Sequence, residues 1–191
     1  MSILEVPTLE TERFILRPMT VDDAEAVFEW AGDERVNTYM PYNTHRSPDD
    51  SRAWLESLAV LENEYQWGFV RKSDNKLIGS GGMRFHADTG EWSFGYNIRF
   101  DCWNNGYTTE ITQGMIDFIR EKYDPELITA ECAVENIGSA RVMEKCGMTF
   151  VGFGEYSRFD GSRTYRSKKI RTQTLILNQC RECRPRRSTV Q

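Results

Sequence analysis

From Cys102 to Glu110 the chain reads Cys-Trp-Asn-Asn-Gly-Tyr-Thr-Thr-Glu, and these residue types suit the holding of an anion. An alternating apolar segment precedes the run and helical spacing follows it, so Gly106 stands at a strand-to-helix junction. The first N–H groups of such a helix lack internal acceptors. Together with the positive end of the helix dipole they attract phosphate. Gly106 lets the group come close to the backbone, and the hydroxyls of Thr108 and Thr109 can add hydrogen bonds. The spacing fits a pyrophosphate. An ordinary tight turn has the same pattern, so the residues alone leave both readings open.

Upstream, Trp92, Phe94, Tyr96 and Ile98 alternate with Glu91, Ser93, Gly95 and Asn97, which predicts a strand with one core face and one polar face where chemistry could sit. Asn136 reads as the cap of a helix carrying Ser139, Val142, Met143 and Cys146, with Gly147 as its left-handed terminator. His45 and His86 are far from each other and from any cysteine pair, the pattern of loop or surface histidines rather than metal ligands. The cysteines at 102, 132, 146, 180 and 183 form neither a disulfide framework nor zinc knuckles and should be reduced. Cys132 reads as a buried strand residue, with an acyl-accepting nucleophile as the rival reading.

These groups need elements to hold them. Residues 13–18 read as a first strand, and Thr20, followed by Asp22 and Asp23, starts a helix whose Ala24, Val27, Phe28 and Ala31 share a face. Ser47-Pro48 opens a second helix and sets Trp54, Leu58, Leu61 and Tyr65 along one stripe. Segments 67–72, 76–86 and 91–99 form an antiparallel meander. A third helix follows Gly106, with Ile111, Met115, Phe118 and Ile119 on one side, and ends before Pro125. Residues 127–133 make a buried fifth strand, the Asn136 helix is the fourth, and segments 150–159 and 163–175 close as a hairpin around Asp160-Gly161. The expected architecture is one mixed α/β (α+β) domain over residues 1–177, followed by a basic tail over 178–191.

With 191 residues and 39% apolar content the chain can bury one core. No run approaches the ~18 apolar residues of a membrane span. The start, Met1-Ser2-Ile3-Leu4-Glu5, lacks a basic segment followed by an apolar one, so a cytoplasmic protein without membrane contact is expected. The net charge of −5 is uneven: four arginines and one glutamate give residues 180–191 a charge of +3 and leave −8 for the rest. An acidic body suits a basic substrate and argues against nucleic-acid binding, although it is also the usual solubility balance of a cytoplasmic protein. Arg184-Pro185-Arg186-Arg187-Ser188 could make a weak RNA contact, and a solvated end is the plainer reading.

Phe94-Gly95-Tyr96-Asn97-Ile98, followed by the run from Trp103 to Glu110, resembles the acetyl-CoA-binding motif of the GNAT superfamily. The form is that of the Rim-type ribosomal-protein N-terminal acetyltransferases. The run from Asn136 to Met148 resembles that family's second cofactor segment, and the order of elements is similar too. The resemblance implies a GNAT-type fold: a mostly antiparallel V-shaped sheet of about seven strands with about four helices, its fourth strand bulged and splayed from the fifth. Tyr96, Ile98 and their neighbours would pair through their main chain with the pantetheine arm, as an added strand does. The diphosphate would lie on the amides of Asn104, Asn105, Gly106, Tyr107, Thr108 and Thr109, with Trp103 packed under the loop. Asn136 would reach the pantetheine with its side chain, and Ser139 would stand beside the thioester sulfur as proton donor.

The implied reaction is direct attack of an amine on acetyl-CoA, the co-substrate, with no metal. This chain departs from the family pattern in three places. Met143 stands where many members have a tyrosine acid, which passes the role to Ser139. Ser93 stands where relatives often have a strand glutamate, and Arg158 where a glutamate base has been proposed. Glu91, on the strand face of Ser93, and Glu155 are the candidate bases, with a water relay as the alternative. A weak base suits an α-amine of pKa about 7.7–8.0 better than a lysine or polyamine near 10.4, whose deprotonation is ~3 kcal/mol harder. The expected acceptor is therefore a protein or peptide N-terminus, ribosomal by resemblance. A small-molecule amine and a non-catalytic acyl-CoA sensor are the rivals, and both a monomer and a homodimer fit.

Overall fold

The computed structural model describes residues 3–172. Its strands are β1 (Leu9–Glu10), β2 (Phe14–Arg17), β3 (Glu64–Arg71), β4 (Lys76–His86), β5 (Glu91–Ile98), β6 (Ile128–Ala133), β7 (Met148–Ser157) and β8 (Thr164–Thr172). Its helices are α1 (Ala24–Ala31), α2 (Glu34–Asn37), α3 (Pro48–Leu58), α4 (Tyr107–Tyr123) and α5 (Ile137–Lys145), with single 3-10 turns at Val21–Asp23 and Phe100–Cys102. The strands form one sheet in the order β1-β2-β3-β4-β5-β6-β8-β7. All neighbours are antiparallel except β5 and β6. That parallel pair is joined only at Trp92–Ile128 and Ser93–Thr129 and then parts, so the sheet opens into a V.

Strand alternation divides the core between the two faces. Phe14, Leu16, Tyr65, Trp67 and Phe69 meet Ile111, Met115, Ile116 and Ile119 of α4 and Met143 of α5. Ile15 and Val70 point the other way, toward Val27 and Trp30 of α1 and Leu55 of α3. Each such buried side chain contributes roughly 1.5–3 kcal/mol, and the two layers hold the V open between them.

Several sequence expectations change. The sheet gains the two-residue β1, and α2 adds one helical turn, capped where the Asp33 carboxylate accepts the Arg35 N–H. Leu61 and Tyr65 do not belong to the second helix. That helix stops at Leu58, Asn63 turns the chain at φ 58°, and Tyr65 enters β3 to stack on Trp67 at 5.3 Å. Aromatic packing outweighs the helical spacing there. The final hairpin turns through residues 158–163 rather than through two residues, closed by the Arg158 N–H on the Arg163 carbonyl at 2.8 Å with Gly161 left-handed. The predicted extension of its second strand to Leu175, the Cys180/Cys183 pair and the basic tail lie outside the described residues.

The expected bulge in the splayed strand is also absent. β5 pairs with β4 in unbroken register from Glu91–His86 to Ile98–Gly79. The glycines of β4 explain the close fit: a Cβ at Gly79 or Gly81 would fall 2.4 or 2.6 Å from the carbonyls of Asn97 or Gly95. The register shifts lie instead near Gly68 and Gly152.

Candidate active site

The open V is a cleft of about 1140 Å³. Tyr96, Ile98, Trp103, Asn104, Gly106, Tyr107, Thr108, Thr109, Asn136 and Ser139 line it, so the fold gathers most of the sequence-expected residues into one place. Asn105, Glu91 and Glu155 are not in the lining.

At the Gly106 turn, Asn104 and Gly106 are both left-handed, with φ 61° and 73°. The N–H groups of residues 104–109 have no acceptor among the described residues, and the first to find one is that of Glu110, on the Gly106 carbonyl at 3.2 Å. Asn105 serves the turn from behind: its Nδ2 donates to the carbonyls of Cys102 and Trp103 at 3.2 and 2.8 Å. Trp103 packs 4.9 Å from Phe100 and donates its indole N–H to the Ile98 carbonyl at 3.0 Å, which ties the turn to the end of β5.

Glu110 anchors the turn to the segment between β1 and β2. Its Oε1 accepts from the Thr11 hydroxyl at 2.6 Å and the Arg13 N–H at 2.7 Å, and its Oε2 accepts from Arg13 Nε at 2.5 Å. Arg13 also donates to the Asn105 carbonyl at 3.2 Å. Burial works to raise the Glu110 pKa, but the hydrogen bonds from Thr11 and Arg13 outweigh it and hold the carboxyl below its ordinary value.

Across the V, the Asn136 Oδ1 accepts the Ser139 N–H at 3.0 Å as the cap of α5. Its Nδ2 has no partner among the described residues and stands in the cleft lining. Ser139 Oγ lies 2.9 Å from the Tyr96 hydroxyl. Burial pushes the Tyr96 phenol pKa up, so it stays protonated and able to donate. Sequence reasoning used Tyr96 only for its main chain, because its alternation with Trp92 and Phe94 marked it as a core residue. Met143, in place of the expected tyrosine, is buried.

The far half of the cleft is walled by Tyr39, Tyr42, Glu131, Tyr156 and Phe159. The Tyr156 hydroxyl donates to the Tyr39 carbonyl at 2.6 Å, the Tyr165 hydroxyl to the Thr38 carbonyl at 2.5 Å, and the Phe159 N–H to the Pro41 carbonyl at 2.7 Å. Ser80 donates to Asn97 Oδ1 at 3.0 Å, and Asn97 Nδ2 donates to the Tyr42 hydroxyl. Glu131 was invisible as a site residue in the sequence, since nothing in a buried strand pattern marks which carboxylate will face an opening.

Cys102, Cys132 and Cys146 are free and buried, and burial raises all three thiols, Cys146 to about 11, so they are poor nucleophiles. Among the described residues no cluster of His, Cys, Asp or Glu could hold a metal ion, and no helix is long and apolar enough to cross a membrane.

The parallel strand pair thus opens over unpartnered helix-start amides beside the Tyr96 and Ser139 hydroxyls, a layout suited to an anionic ligand. A family model described as the acetyltransferase (GNAT) domain matches residues 13–149. The chain is 30% identical over 147 residues to the uncharacterized N-acetyltransferase YoaA of Bacillus subtilis (strain 168), covering 74% of this chain and 82% of that one. It therefore belongs to the GNAT acetyltransferase family, as an acetyl-CoA-dependent N-acetyltransferase. The GNAT acetyltransferase of Bacillus anthracis superposes with a TM-score of 0.76 at 22% identity, covering 88% of this chain and 99% of that one. The ribosomal-protein-S5-alanine acetyltransferase of Vibrio fischeri reaches 0.72 at 17% identity, covering 89% and 98%. The spermidine N-acetyltransferase of Vibrio cholerae, in complex with CoA and spermine, reaches 0.72 at 16%, covering 86% and 97%. At these identities the structures speak for the fold alone.

Proposed function

We propose that this chain acetylates the N-terminal α-amine of a protein or peptide, a ribosomal protein foremost, by direct attack of the amine on the acetyl-CoA thioester. The observation that carries the reading is the row of unpartnered N–H groups at residues 104–109, which leads along the free edge of β5 to Ser139. The diphosphate would rest on the Gly106 turn. The pantetheine would enter the V beside Tyr96 and Ile98, within reach of the Asn136 amide. Ser139 would donate to the departing sulfur, and Tyr96 would return the hydrogen bond to Ser139 from 2.9 Å. Because a thiol of pKa about 8.5 also leaves as the anion, this donation assists the step rather than deciding it.

Glu91 stands opposite His86 at the start of β5, and Glu155 is exposed opposite Arg166 on β7, both apart from the cleft lining. With both of the sequence-expected bases outside the lining, an α-amine of pKa about 7.7–8.0 is the easier acceptor. Glu131 and Glu135 in the lining favour a second reading, a small polyamine drawn by their charge. We place the enzyme in the cytoplasm and take residues 1–177 as its catalytic unit, as a monomer or homodimer. The test is steady-state thiol release with an alanine-initiated hexapeptide, its N-acetylated twin and spermidine. The free peptide should be the substrate, and equal rates on the blocked peptide would sink the reading.

A further inference from the structure

The face of β5 turned away from α4 and α5 carries Glu91, Ser93, Gly95 and Asn97. Ser93 lines the cleft at the last rung before the V opens, opposite Thr129. Its Oγ lies 2.7 Å from His86 Nε2. The other histidine, His45, pairs with Ser51 at 2.8 Å, and neither of those two is in the lining. Beside Ser93 on the same face, Gly95 is exposed, and a Cβ added to it would meet no atom within 4 Å. Its pairing with Gly82 is regular and its φ is not left-handed. A glycine weakens a strand, and here no turn, bulge or crowded neighbour asks for one, so what remains is room for a ligand. A molecule in that room has Ser93 and Asn97 as its same-face neighbours along the strand, and Asn97 is already bonded to Ser80 and Tyr42.

We propose that Ser93 and His86 form a proton relay that deprotonates an acceptor ammonium seated over Gly95. The relay rests on the amine-acetylation reading above. Ser93 Oγ takes a proton from the ammonium nitrogen while its own hydrogen passes to His86 Nε2, which leaves a neutral amine, an unchanged serine and an imidazolium. The amine lone pair then forms the C–N bond, the C–S bond breaks, and its electron pair departs with the sulfur. The proton now on the amide nitrogen and the proton on His86 are released to water, and the thiolate leaves as the anion with a hydrogen bond from Ser139 and takes its own proton from water. Ser93 touches the amine; His86 acts through it. The charged groups on this face are Glu91, opposite His86, Arg84, opposite Ser93, Glu64, opposite Arg84, and, beside Thr129, Glu131 with Lys169 and Arg171 across from β6. Arg84 is engaged with Glu64 at 3.4 Å.

The test measures kcat/KM against pH for wild type, His86→Gln, Ser93→Ala and the double variant, with the alanine-initiated hexapeptide and with spermidine. Each single variant should lose about 100-fold near pH 6.5, the usual worth of a positioned base. The double variant should lose no more than either single one, as for groups that act as a unit. The acid limb should move upward to the peptide's own α-amine at about 7.7–8.0, since only amine already neutral then reacts. Ser93→Thr, which keeps the hydroxyl, should keep the wild-type limb, and coenzyme A affinity by calorimetry should be unchanged throughout. A His86→Gln protein with the wild-type limb, or losses that multiply in the double variant, overturns the relay. If His86→Gln does not fold, Ser93→Ala carries the same prediction. Wild-type protein inactive with both amines sinks the proposed function and the relay together, whereas an active wild type with an unmoved limb sinks the relay alone.

Discussion

The two ends of the cleft are built by opposite means. At the end proposed for the coenzyme, a contiguous run, residues 102–110, shapes the cleft through backbone conformation, and one carboxylate ties it down. At the acceptor end, residues 37–42 have little regular structure of their own. They are held by Tyr156, Arg158 and Tyr165, which come from 117, 121 and 127 residues away in the sequence. A diphosphate is the same group in every donor molecule, so fixed main-chain N–H groups suffice for it. An acceptor must be told from other amines, and that takes side chains which only the tertiary fold can deliver.

The comparison breaks if damage at one end is felt at the other. The largest effect should come from Gly106→Val. A β-branched residue forced into the left-handed region loses about 1–3 kcal/mol, so coenzyme A binding should weaken about 10- to 100-fold by calorimetry. The KM for the amine at saturating acetyl-CoA should not change. Next is Glu110→Gln, which should lower stability by about 2 kcal/mol at pH 7 and the Tm by about 4–8 °C. Because the folded Glu110 pKa is depressed, its contribution is complete above the unfolded value of about 4.3 and is lost as pH falls through the lower folded one. Urea unfolding at pH 7 and pH 3 should therefore show the gap between wild type and variant closing in acid. The smallest effect should be that of Tyr156→Phe, which removes the hydrogen bond to the Tyr39 carbonyl. Losing about 1 kcal/mol there should raise the amine KM about fivefold and leave coenzyme A affinity alone. A fall in coenzyme affinity in that variant would show the two ends to be one unit.

Where local signals coincided, the sequence was legible. The Asn136 cap, the Gly147 terminator, the helix after Gly106 and the polar face of β5 depend on neighbours within a few residues, and each stands where spacing and residue type put it. Spacing misled at Tyr65, whose helical phase with Leu58 was overruled by stacking on Trp67 and Trp92 at 5.3 and 6.1 Å. It also missed the pairs made across strands. The His86–Ser93 contact closes across the turn of the β4–β5 hairpin, and the Tyr96 hydroxyl reaches Ser139 from strand to helix, a contact set only when α5 packs on the sheet.

By itself, then, the sequence determined the family, the mixed α/β class and the turn at Gly106, since all of these follow from short-range pattern and backbone preference. The tertiary structure alone decided which side chains share the cleft, that the sheet has an eighth strand and no bulge in β5, and that the final hairpin clamps residues 37–42. Those outcomes turn on packing and hydrogen bonds between residues remote in the chain, whose partners are chosen only when the strands have found their neighbours.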